Sequence, residues 1–166
     1  ASSSEIIFTS GGTEANNLAL LGVALKDKEK KIITSKTEHP SVLNPCRQLE
    51  EQGVEVHYLD VDRFGRIDIN NLESQITEST ALISLQHANS ETGVLQDIKK
   101  ISELARSNGV LFHTDAVQSV AKIEFDLKDY PVDMLSISAH KFNGPKGVGA
   151  LFLRKGTPAL FAPVSG

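Results

Sequence analysis

Short apolar runs rich in β-branched residues alternate along the chain with segments of helical periodicity. The runs that predict strands are Lys31–Ser35, Val54–Leu59, Thr80–Leu85, Val110–His113, Val132–Ile137 and Val148–Leu153. The segments whose apolar residues recur at helical spacing are Thr13–Lys26, Pro40–Gln52 and Asp97–Asn108. Several of the runs are continuously apolar, which is typical of strands covered on both faces. The alternation predicts an α/β domain built on a mostly parallel sheet.

Composition and charge narrow the possible functions. The 166 residues are 40% apolar and 23% charged, which is a globular rather than a disordered composition. The net charge of −4 leaves no broad basic surface, so nucleic acid is not an expected partner. The longest apolar run, Leu18–Leu25, contains Gly22 and is too short to span a bilayer, so no membrane association is expected.

Cysteine and methionine usage add two further expectations. The single cysteine, Cys46, excludes an internal disulfide and a Cys-rich metal cage, and it suits a reducing, cytoplasmic compartment. Cys46 falls on the apolar stripe of its predicted helix, which predicts a buried and unreactive thiol. The chain begins at Ala1 and its only methionine is Met134, so we expect residues 1–166 to be a piece of a longer chain.

Polar residues cluster in the segments that follow the predicted strands. In a parallel sheet, ligands gather at the carboxyl ends of the strands. Because those ends meet at one edge of the sheet, we expect these residues to lie close together. They are Ser10-Gly11-Gly12-Thr13, Glu38-His39, His87-Ala88-Asn89, Asp115 and Gln118, and Ser138, His140 and Lys141.

The chemistry of this edge leaves alternatives open. The loop Ser10–Thr13 runs into a helix, so it is either an ordinary turn with an N-cap or a cradle for a phosphate. Asp115 is an N-cap, a partner for a protonated ring nitrogen, or a metal ligand beside His113. Together with His140, these two residues define a possible metal-dependent hydrolase.

Lys141 favours a cofactor over a metal. It follows an apolar strand directly, where catalytic groups collect and a solvated surface charge is out of place. A cation among metal ligands would oppose metal binding by like charge. A lysine amine facing a carbonyl cofactor would instead form a Schiff base. We therefore predict that the site holds no metal.

Motifs in order along essentially the whole chain resemble those of one enzyme family. They are Ser10-Gly-Gly-Thr-Glu-Ala-Asn-Asn17, Thr37-Glu-His-Pro40, His87-Ala-Asn-Ser-Glu-Thr-Gly93, His113-Thr-Asp-Ala-Val-Gln118 and Ser136-Ile-Ser-Ala-His-Lys-Phe-Asn-Gly-Pro-Lys-Gly147. They resemble the group I cysteine desulfurases, which belong to the class V aminotransferase family of fold-type I pyridoxal 5'-phosphate (PLP) enzymes. The resemblance implies a three-layer α/β/α fold with a mostly parallel mixed sheet. It also implies that residues 1–166 form the large, PLP-binding domain of a longer enzyme, without the small C-terminal domain and an N-terminal segment.

The same resemblance implies a role for each strand-end residue. Lys141 resembles the lysine that carries PLP as a Schiff base and shuttles the substrate proton. Asp115 resembles the partner of the pyridinium nitrogen, and His39 resembles the histidine that stacks on the ring and acts as acid or base. The other implied cofactor contacts are Gln118 and Asn89 near the phenolic oxygen, and Gly12, Thr13, Ser138 and His140 at the phosphate.

The resemblance also implies an activity and its partners. The family converts L-cysteine to L-alanine and passes the sulfur, as an enzyme persulfide, towards iron–sulfur cluster assembly. Cys46 does not match the position of the family's nucleophilic cysteine, so this chain alone is expected to be inactive or very weak. The implied partners are L-cysteine, a sulfur acceptor or iron–sulfur scaffold protein, and a second copy in a full-length homodimer. Selenocysteine lyase and aminotransferase activities are the alternatives within the family.

Overall fold

Seven strands form one mixed sheet in the computed structural model, which describes residues 1–27, 29–124, 126–158 and 160. The strands are β1 (Ile6–Thr9), β2 (Lys31–Ser35), β3 (Val56–Leu59), β4 (Thr80–Gln86), β5 (Leu111–Asp115), β6 (Met134–Ser138) and β7 (Gly149–Leu153). Their order across the sheet is β1-β7-β6-β5-β4-β2-β3. All pairings from β6 to β3 are parallel, and only β7 runs antiparallel to its two neighbours. The predicted mostly parallel mixed sheet is confirmed.

In the described part of the chain four α-helices accompany the sheet, and side chains cap the starts of three of them. They are α1 (Gly12–Ala24), α2 (Pro40–Glu51), α3 (Ile69–Gln75) and α4 (Ile98–Ser107), with short 3-10 helices at Ser3–Glu5 and Ala139–Phe142. Helix α2 begins with a proline after the His39 cap, and Asp68 and Asp97 cap α3 and α4. A cap satisfies backbone N–H groups that have no partner within the helix. The three helices predicted from the sequence are confirmed.

The helices cover both faces of the sheet, as the alternation of side chains along the strands requires. Ile32 of β2 and Leu82 of β4 pack in an apolar cluster with residues of α1 and α2. Ile33 and Ile83, the next residues along, belong to a second cluster with residues of α3 and α4. Successive strand residues point to opposite faces, so both faces are buried. The three-layer α/β/α arrangement is therefore confirmed.

The structure differs from the prediction in particular elements. Strand β1 and helix α3 were not predicted, because β1 has only four residues with Phe8 largely exposed and α3 buries only Leu72. Strand β5 continues to Asp115 instead of ending at His113, so this acid lies on the strand itself. Strand β6 covers Met134–Ser138 rather than Val132–Ile137. Within the described residues, no helix has the length and apolar character needed to cross a membrane.

The start of the antiparallel strand β7 packs closely against the loop before α1. A side chain on Gly149 would come within 2.6 Å of the Gly11 backbone, and one on Gly12 would come within 2.7 Å of Val117. Only glycine permits these close approaches. The loop before α1 is thereby held against the ends of β5 and β6, where the site described next is found.

Candidate active site

A cleft of about 640 Å³, including its open mouth, lies at the carboxyl ends of the parallel strands. Its walls come from the starts of α1 and α2, the ends of β4, β5 and β6, and the 3-10 helix after β6. The lining residues are Gly12, Thr13, Asn16, His39, Ser41, Gln86, Ala88, Ser90, Asp115, Val117, Gln118, Ser138, His140 and Lys141. All the residues predicted to contact the cofactor, except Asn89, meet in this cleft. This is the edge at which α/β sheets place their ligands.

Asp115, the last residue of β5, is the buried acid of the cleft. Its Oδ1 accepts a hydrogen bond from the Val117 N–H at 2.9 Å, and its Oδ2 accepts one from Asn16 Nδ2 at 2.7 Å. Burial raises the pKa of this carboxyl, while the two hydrogen bonds and the nearby His39 and Lys141 act in the opposite direction. A cationic group bound beside it would favour its charged form further.

Lys141 lies in the 3-10 helix Ala139–Phe142 and lines the cleft. The chain turns sharply behind it, because Asn143 adopts a left-handed conformation and the Gly144 N–H donates to the Ala139 carbonyl at 2.8 Å. A side chain on Gly144 would come within 2.9 Å of that carbonyl oxygen. No carboxylate of the described residues forms an ion pair with the Lys141 amine. A lysine amine in such a cleft is the kind of group that forms a Schiff base with a carbonyl compound.

His39 lines the cleft as the N-cap of α2. Its Nδ1 accepts a hydrogen bond from the Ser41 N–H at 3.1 Å and lies 2.7 Å from the Ser41 hydroxyl. A ring nitrogen that accepts cannot also carry the proton of the neutral ring. The Nε2 atom is therefore the nitrogen left to carry that proton and to meet a ligand in the cleft.

A second depression beside the cleft has the character of an anion site. It is lined by Ser10, Gly11, Gly12, Thr13, Glu14, Ser138, His140, Lys146 and Gly147. Among the described residues no side chain caps the start of α1, and a helix start favours negative charge. The Ser138 hydroxyl lies 3.0 Å from His140 Nδ1, which brings two more polar side chains to it. The Glu14 carboxylate accepts from the Ser10 N–H and hydroxyl, both at 2.6 Å.

Gln118 and Asn89 differ in their position relative to the cleft. Gln118 lines it, and its Oε1 accepts a hydrogen bond from the Lys122 ammonium at 3.0 Å. Asn89 lines a neighbouring depression, where its Nδ2 donates to the Thr37 carbonyl at 3.1 Å. Its Oδ1 accepts from the backbone N–H groups of the following turn. As the structure stands, Asn89 organises the loop after β4 and does not line the central cleft.

His113 is not available as a metal ligand, so the metal-dependent hydrolase interpretation is wrong. This histidine is fully buried, with Nδ1 lying 2.8 Å from the Ser84 hydroxyl and Nε2 lying 2.9 Å from the Ser136 hydroxyl. Burial lowers the pKa of its ring to about 3, which keeps the imidazole neutral. Among the described residues, no group of three His, Cys, Asp or Glu side chains is placed to hold a metal ion.

Cys46 is fully buried on α2, as predicted. Burial, together with the charges of Glu38 and Glu50, raises the pKa of its thiol to about 12. A thiol in this state has almost no nucleophilic thiolate near neutral pH.

Three residues that build the site were not predicted from the sequence, namely Asn16, Ser41 and Gln86, and Glu38 was predicted at this edge without a role. Asn16 follows Thr13 by one helical turn, a spacing that places both on one side of α1. Glu38 is buried, and its carboxylate accepts from the Ser35 hydroxyl at 2.6 Å and from the Gln86 N–H at 2.9 Å. Burial is the main cause that raises the pKa of Glu38 to about 8. These contacts tie the turn that carries His39 to the end of β4.

The sheet order, the helical layers and the strand-end cleft define an α/β domain of the fold-type I PLP enzymes. The aminotransferase class-V family model matches residues 1–166 of this chain. The chain belongs to this family.

Two curated relatives are cysteine desulfurases named IscS. The one from Buchnera aphidicola subsp. Acyrthosiphon pisum (strain 5A) is 54% identical over 157 residues, which cover 93% of this chain and 39% of that protein. The one from Dictyoglomus turgidum (strain DSM 6724 / Z-1310) is 55% identical over 159 residues, covering 95% of this chain and 40% of that protein. This chain therefore spans about two-fifths of the length of the curated relatives that it matches.

Two solved structures share the whole fold of this chain. SspA in complex with cysteine gives a TM-score of 0.95 at 43% sequence identity, covering 100% of this chain and 49% of that chain. A NifS-like protein gives a TM-score of 0.95 at 39% identity, covering 100% of this chain and 46% of that chain.

Proposed function

We propose that residues 1–166 are the PLP-binding large domain of a longer cysteine desulfurase. The observation that carries the proposal is that Lys141 and Asp115 line the same cleft, with the charge of Lys141 acting on the buried carboxyl. An amine that reacts with a carbonyl and an acid that pairs with a ring nitrogen are the two groups that PLP needs. The family membership and the named relatives support the same conclusion.

The residues of the cleft fit this cofactor. The close packing at Gly12 leaves a side-chain-free helix start, and the backbone N–H groups there suit a phosphate. Lys141 would hold the cofactor covalently and Asp115 would hold its ring nitrogen. His39 would face the ring and Gln118 would bind its phenolic oxygen. The phosphate would be held by the Gly12–Thr13 backbone and the side chains of Thr13, Ser138 and His140. Asn89 lines the neighbouring depression, so the loop after β4 would have to rearrange before this residue could bind the phenolic oxygen or the substrate.

The chain's own groups would then divide the proton chemistry between them. The bound cofactor supplies an electron-poor ring that stabilises negative charge at the substrate Cα. The Lys141 amine lines the cleft and would take and return the Cα proton of the substrate. A protonated ring nitrogen held beside Asp115 would favour its ionised form and oppose the burial that raises its pKa. His39 lines the cleft with its Nδ1 engaged by Ser41, so its Nε2 would serve as the acid or base.

The proposed substrate is L-cysteine and the proposed products are L-alanine and an enzyme persulfide. One solved relative is SspA in complex with cysteine, and the curated relatives are named as cysteine desulfurases. A cysteine thiolate from outside residues 1–166 takes the substrate sulfur, because Cys46 is buried and protonated. We further propose a cytoplasmic homodimer that passes the sulfur to an acceptor or iron–sulfur scaffold protein.

Covalent trapping of the cofactor tests the proposal. The full-length protein is mixed with PLP, reduced with borohydride and digested, and the peptides are analysed by mass spectrometry. We expect the pyridoxyl group on Lys141 in the unmodified protein and none in Lys141→Ala. Lys99→Ala, which removes an exposed lysine of α4, is the matched control and should retain the adduct. An adduct at another lysine, or no adduct in the full-length protein, would contradict the assignment.

Substrate comparison tests the activity itself. With L-cysteine, the full-length protein should release alanine in step with the sulfur that it transfers. Faster turnover of L-selenocysteine, with little turnover of L-cysteine, would replace the proposal by a selenocysteine lyase. Amino-group transfer to a keto acid without sulfur release would replace it by an aminotransferase.

A further inference from the structure

Asn16 is a buried polar side chain that joins the acid of the cleft to the start of α2. It is fully buried on α1, and its Nδ2 lies 2.7 Å from Asp115 Oδ2 and 2.8 Å from the Ser41 hydroxyl. Ser41 belongs to α2, and its hydroxyl lies 2.7 Å from Nδ1 of His39. One amide group therefore contacts the residue proposed to hold the ring nitrogen and the residue that holds the facing histidine.

The directions of these hydrogen bonds follow from what each group can donate. An ionised carboxylate only accepts, so the amide must present its NH₂ group to Asp115. The second hydrogen of that NH₂ group goes to the Ser41 hydroxyl oxygen. Because this oxygen accepts from Asn16, its own proton is free to point at His39 Nδ1, which already accepts from the Ser41 N–H. Both hydrogens of the Asn16 amide are thus committed, and its orientation is fixed.

The amide oxygen of Asn16 accepts no hydrogen bond from the described residues. This Oδ1 atom is buried. A buried acceptor without a partner destabilises the folded state. Such exceptions in native structures call for an explanation, and a role in a binding site is one of them. The residue is therefore poorly suited to stabilising the fold and well suited to presenting its NH₂ group.

The contact acts on the charged form of Asp115. Each carboxylate oxygen accepts one hydrogen bond, from Asn16 or from the Val117 N–H, and each retains room for another. Two donors held by separate elements, α1 and the turn after β5, set the plane of the carboxylate. They also favour ionisation against the burial that raises its pKa.

We infer that Asn16 is a positioning residue, which holds the Asp115 carboxylate ionised and in a fixed orientation for a cationic ring nitrogen. The inference rests on the proposed function, since it concerns the residue that would hold the cofactor's ring. Asn16 acts through Asp115 and not on the reacting atoms. Ser41 is the second anchor of its amide.

The first test follows Asp115 directly in the full-length protein without cofactor. Aspartate carboxyl carbons are labelled with ¹³C, the Asp115 signal is assigned by its loss in Asp115→Asn, and its chemical shift is titrated with pH. In Asn16→Leu, which keeps the shape but removes the donor, Asp115 should titrate at higher pH than in the unmodified protein. Asn17→Leu is the matched control, because Asn17 lies next along α1 and donates to the Thr13 carbonyl at 2.8 Å.

The second test measures the equilibrium dissociation constant for PLP across the same pH range. Asn16→Leu should bind about tenfold more weakly, the effect of losing one hydrogen bond to a charged group. The deficit should narrow as the pH rises, because Asp115 ionises in both proteins at high pH. A residue with only a structural role would change the affinity equally at all pH values. Ser41→Ala should show a smaller effect in the same direction.

The outcomes separate the inference from the proposed function. An unmodified protein that binds no PLP would overturn the proposed function, while the Asp115 titration still judges the Asn16 contact. An Asn16→Leu protein that titrates Asp115 and binds PLP like the unmodified protein would overturn the inference and leave the function standing. If thermal unfolding shows that Asn16→Leu does not fold, Ser41→Ala decides by the same two measurements.

Discussion

Two polar clusters each include a residue of β5 and differ in how completely their groups are paired. The lower cluster is formed by His113 of β5 with Ser84 and Ser136 on the neighbouring strands, and both ring nitrogens have a partner. The upper cluster comprises Asn16, Ser41, His39 and Asp115, and it contains a buried acceptor without one. His113 and Asp115 are two residues apart on β5, so their side chains point to the same face.

The difference separates a structural cluster from a binding cluster. The lower cluster is closed: its three side chains are buried and satisfy one another, so it holds β4, β5 and β6 in register. The upper cluster is open to the cleft, and its acid retains capacity for a further partner. A buried group whose pairing is complete stabilises the fold, whereas an incompletely paired group at a strand end is available for a ligand. Each of the following predictions tests this distinction.

The largest effect is expected in the upper cluster. Asp115→Asn keeps the shape of the side chain but removes the negative charge that would oppose a protonated ring nitrogen. In the full-length protein, cysteine-dependent alanine release should fall about a hundredfold or more, while thermal unfolding stays close to that of the unmodified protein. Activity retained within a few-fold would show that the charge of Asp115 is not used, and the upper cluster would then resemble the lower one.

The lower cluster should respond in the opposite way. His113→Leu leaves the Ser84 and Ser136 hydroxyls without their buried partner, so the free energy of unfolding should fall by about 2–4 kcal/mol. At a temperature where the variant remains folded, its affinity for PLP should be unchanged. The measurements are urea unfolding and PLP titration. His57→Leu on β3 is the matched control and should change stability by less than about 1 kcal/mol.

A contrary result would be informative about the boundary between the clusters. If His113→Leu weakens PLP binding while leaving stability intact, the lower cluster is part of the binding site. The proposed division of the strands into a structural level and a binding level would then be wrong.

The sequence predicted the architecture well because local patterns carry it. Continuous apolar runs and helical spacing identified the central strands and the three longest helices. Strand β1 was not predicted because its partner, β7, is distant in the sequence: Ile6 pairs with Phe152 in the antiparallel register, and no local pattern marks the strand. Helix α3 escaped because it has seven residues and one buried side chain.

The site was predicted as a set of residue types but not as a set of contacts. The strand-end rule brought Lys141, Asp115 and His39 together without any structural information. It could not separate His113 from a metal ligand, because its serine partners are 29 and 23 residues away. It also missed Asn16, whose contact with Asp115 joins positions 99 residues apart. Such contacts are set by the register of the strands and the packing of α1, which residue spacing alone does not define.

The pH dependence of stability should distinguish two buried groups with opposite signs. His113 has its pKa lowered from 6.5 to about 3, so its contribution to stability is present above pH 6.5 and is lost as the pH falls towards 3. Glu38 has its pKa raised from 4.5 to about 8, so its contribution is present below pH 4.5 and is lost as the pH rises through 8. Each group changes the free energy of unfolding by at most about 1.4 kcal/mol per pH unit.

Urea unfolding at a series of pH values from roughly 4 to 8, where both groups change protonation, measures these slopes. Relative to the unmodified chain, His113→Leu should lose the rise in stability with pH at the acid end. Glu38→Gln should lose the decline above pH 6.5. Between pH 4.5 and 6.5 the two slopes oppose each other, so only the variants reveal them. Parallel curves for a variant and the unmodified chain would show that its group does not titrate as its burial requires.

The smallest effect is expected at Cys46, which belongs to neither polar cluster. Its thiol is fully buried in the apolar cluster that α1 and α2 form with the sheet. Burial raises the pKa of the thiol to about 12. We therefore expect that neither a soluble reagent nor a substrate sulfur reaches it in the folded state. Cys46→Ala should therefore leave sulfur transfer by the full-length protein within about twofold and lower the free energy of unfolding by about 1 kcal/mol. The measurements are sulfur release, urea unfolding and the rate of thiol labelling. Labelling should be slow in buffer and rapid in urea. Persulfide sulfur found on Cys46 would mean that burial does not separate inert groups from reactive ones in this fold, and the contrast between the closed and open clusters would lose its basis.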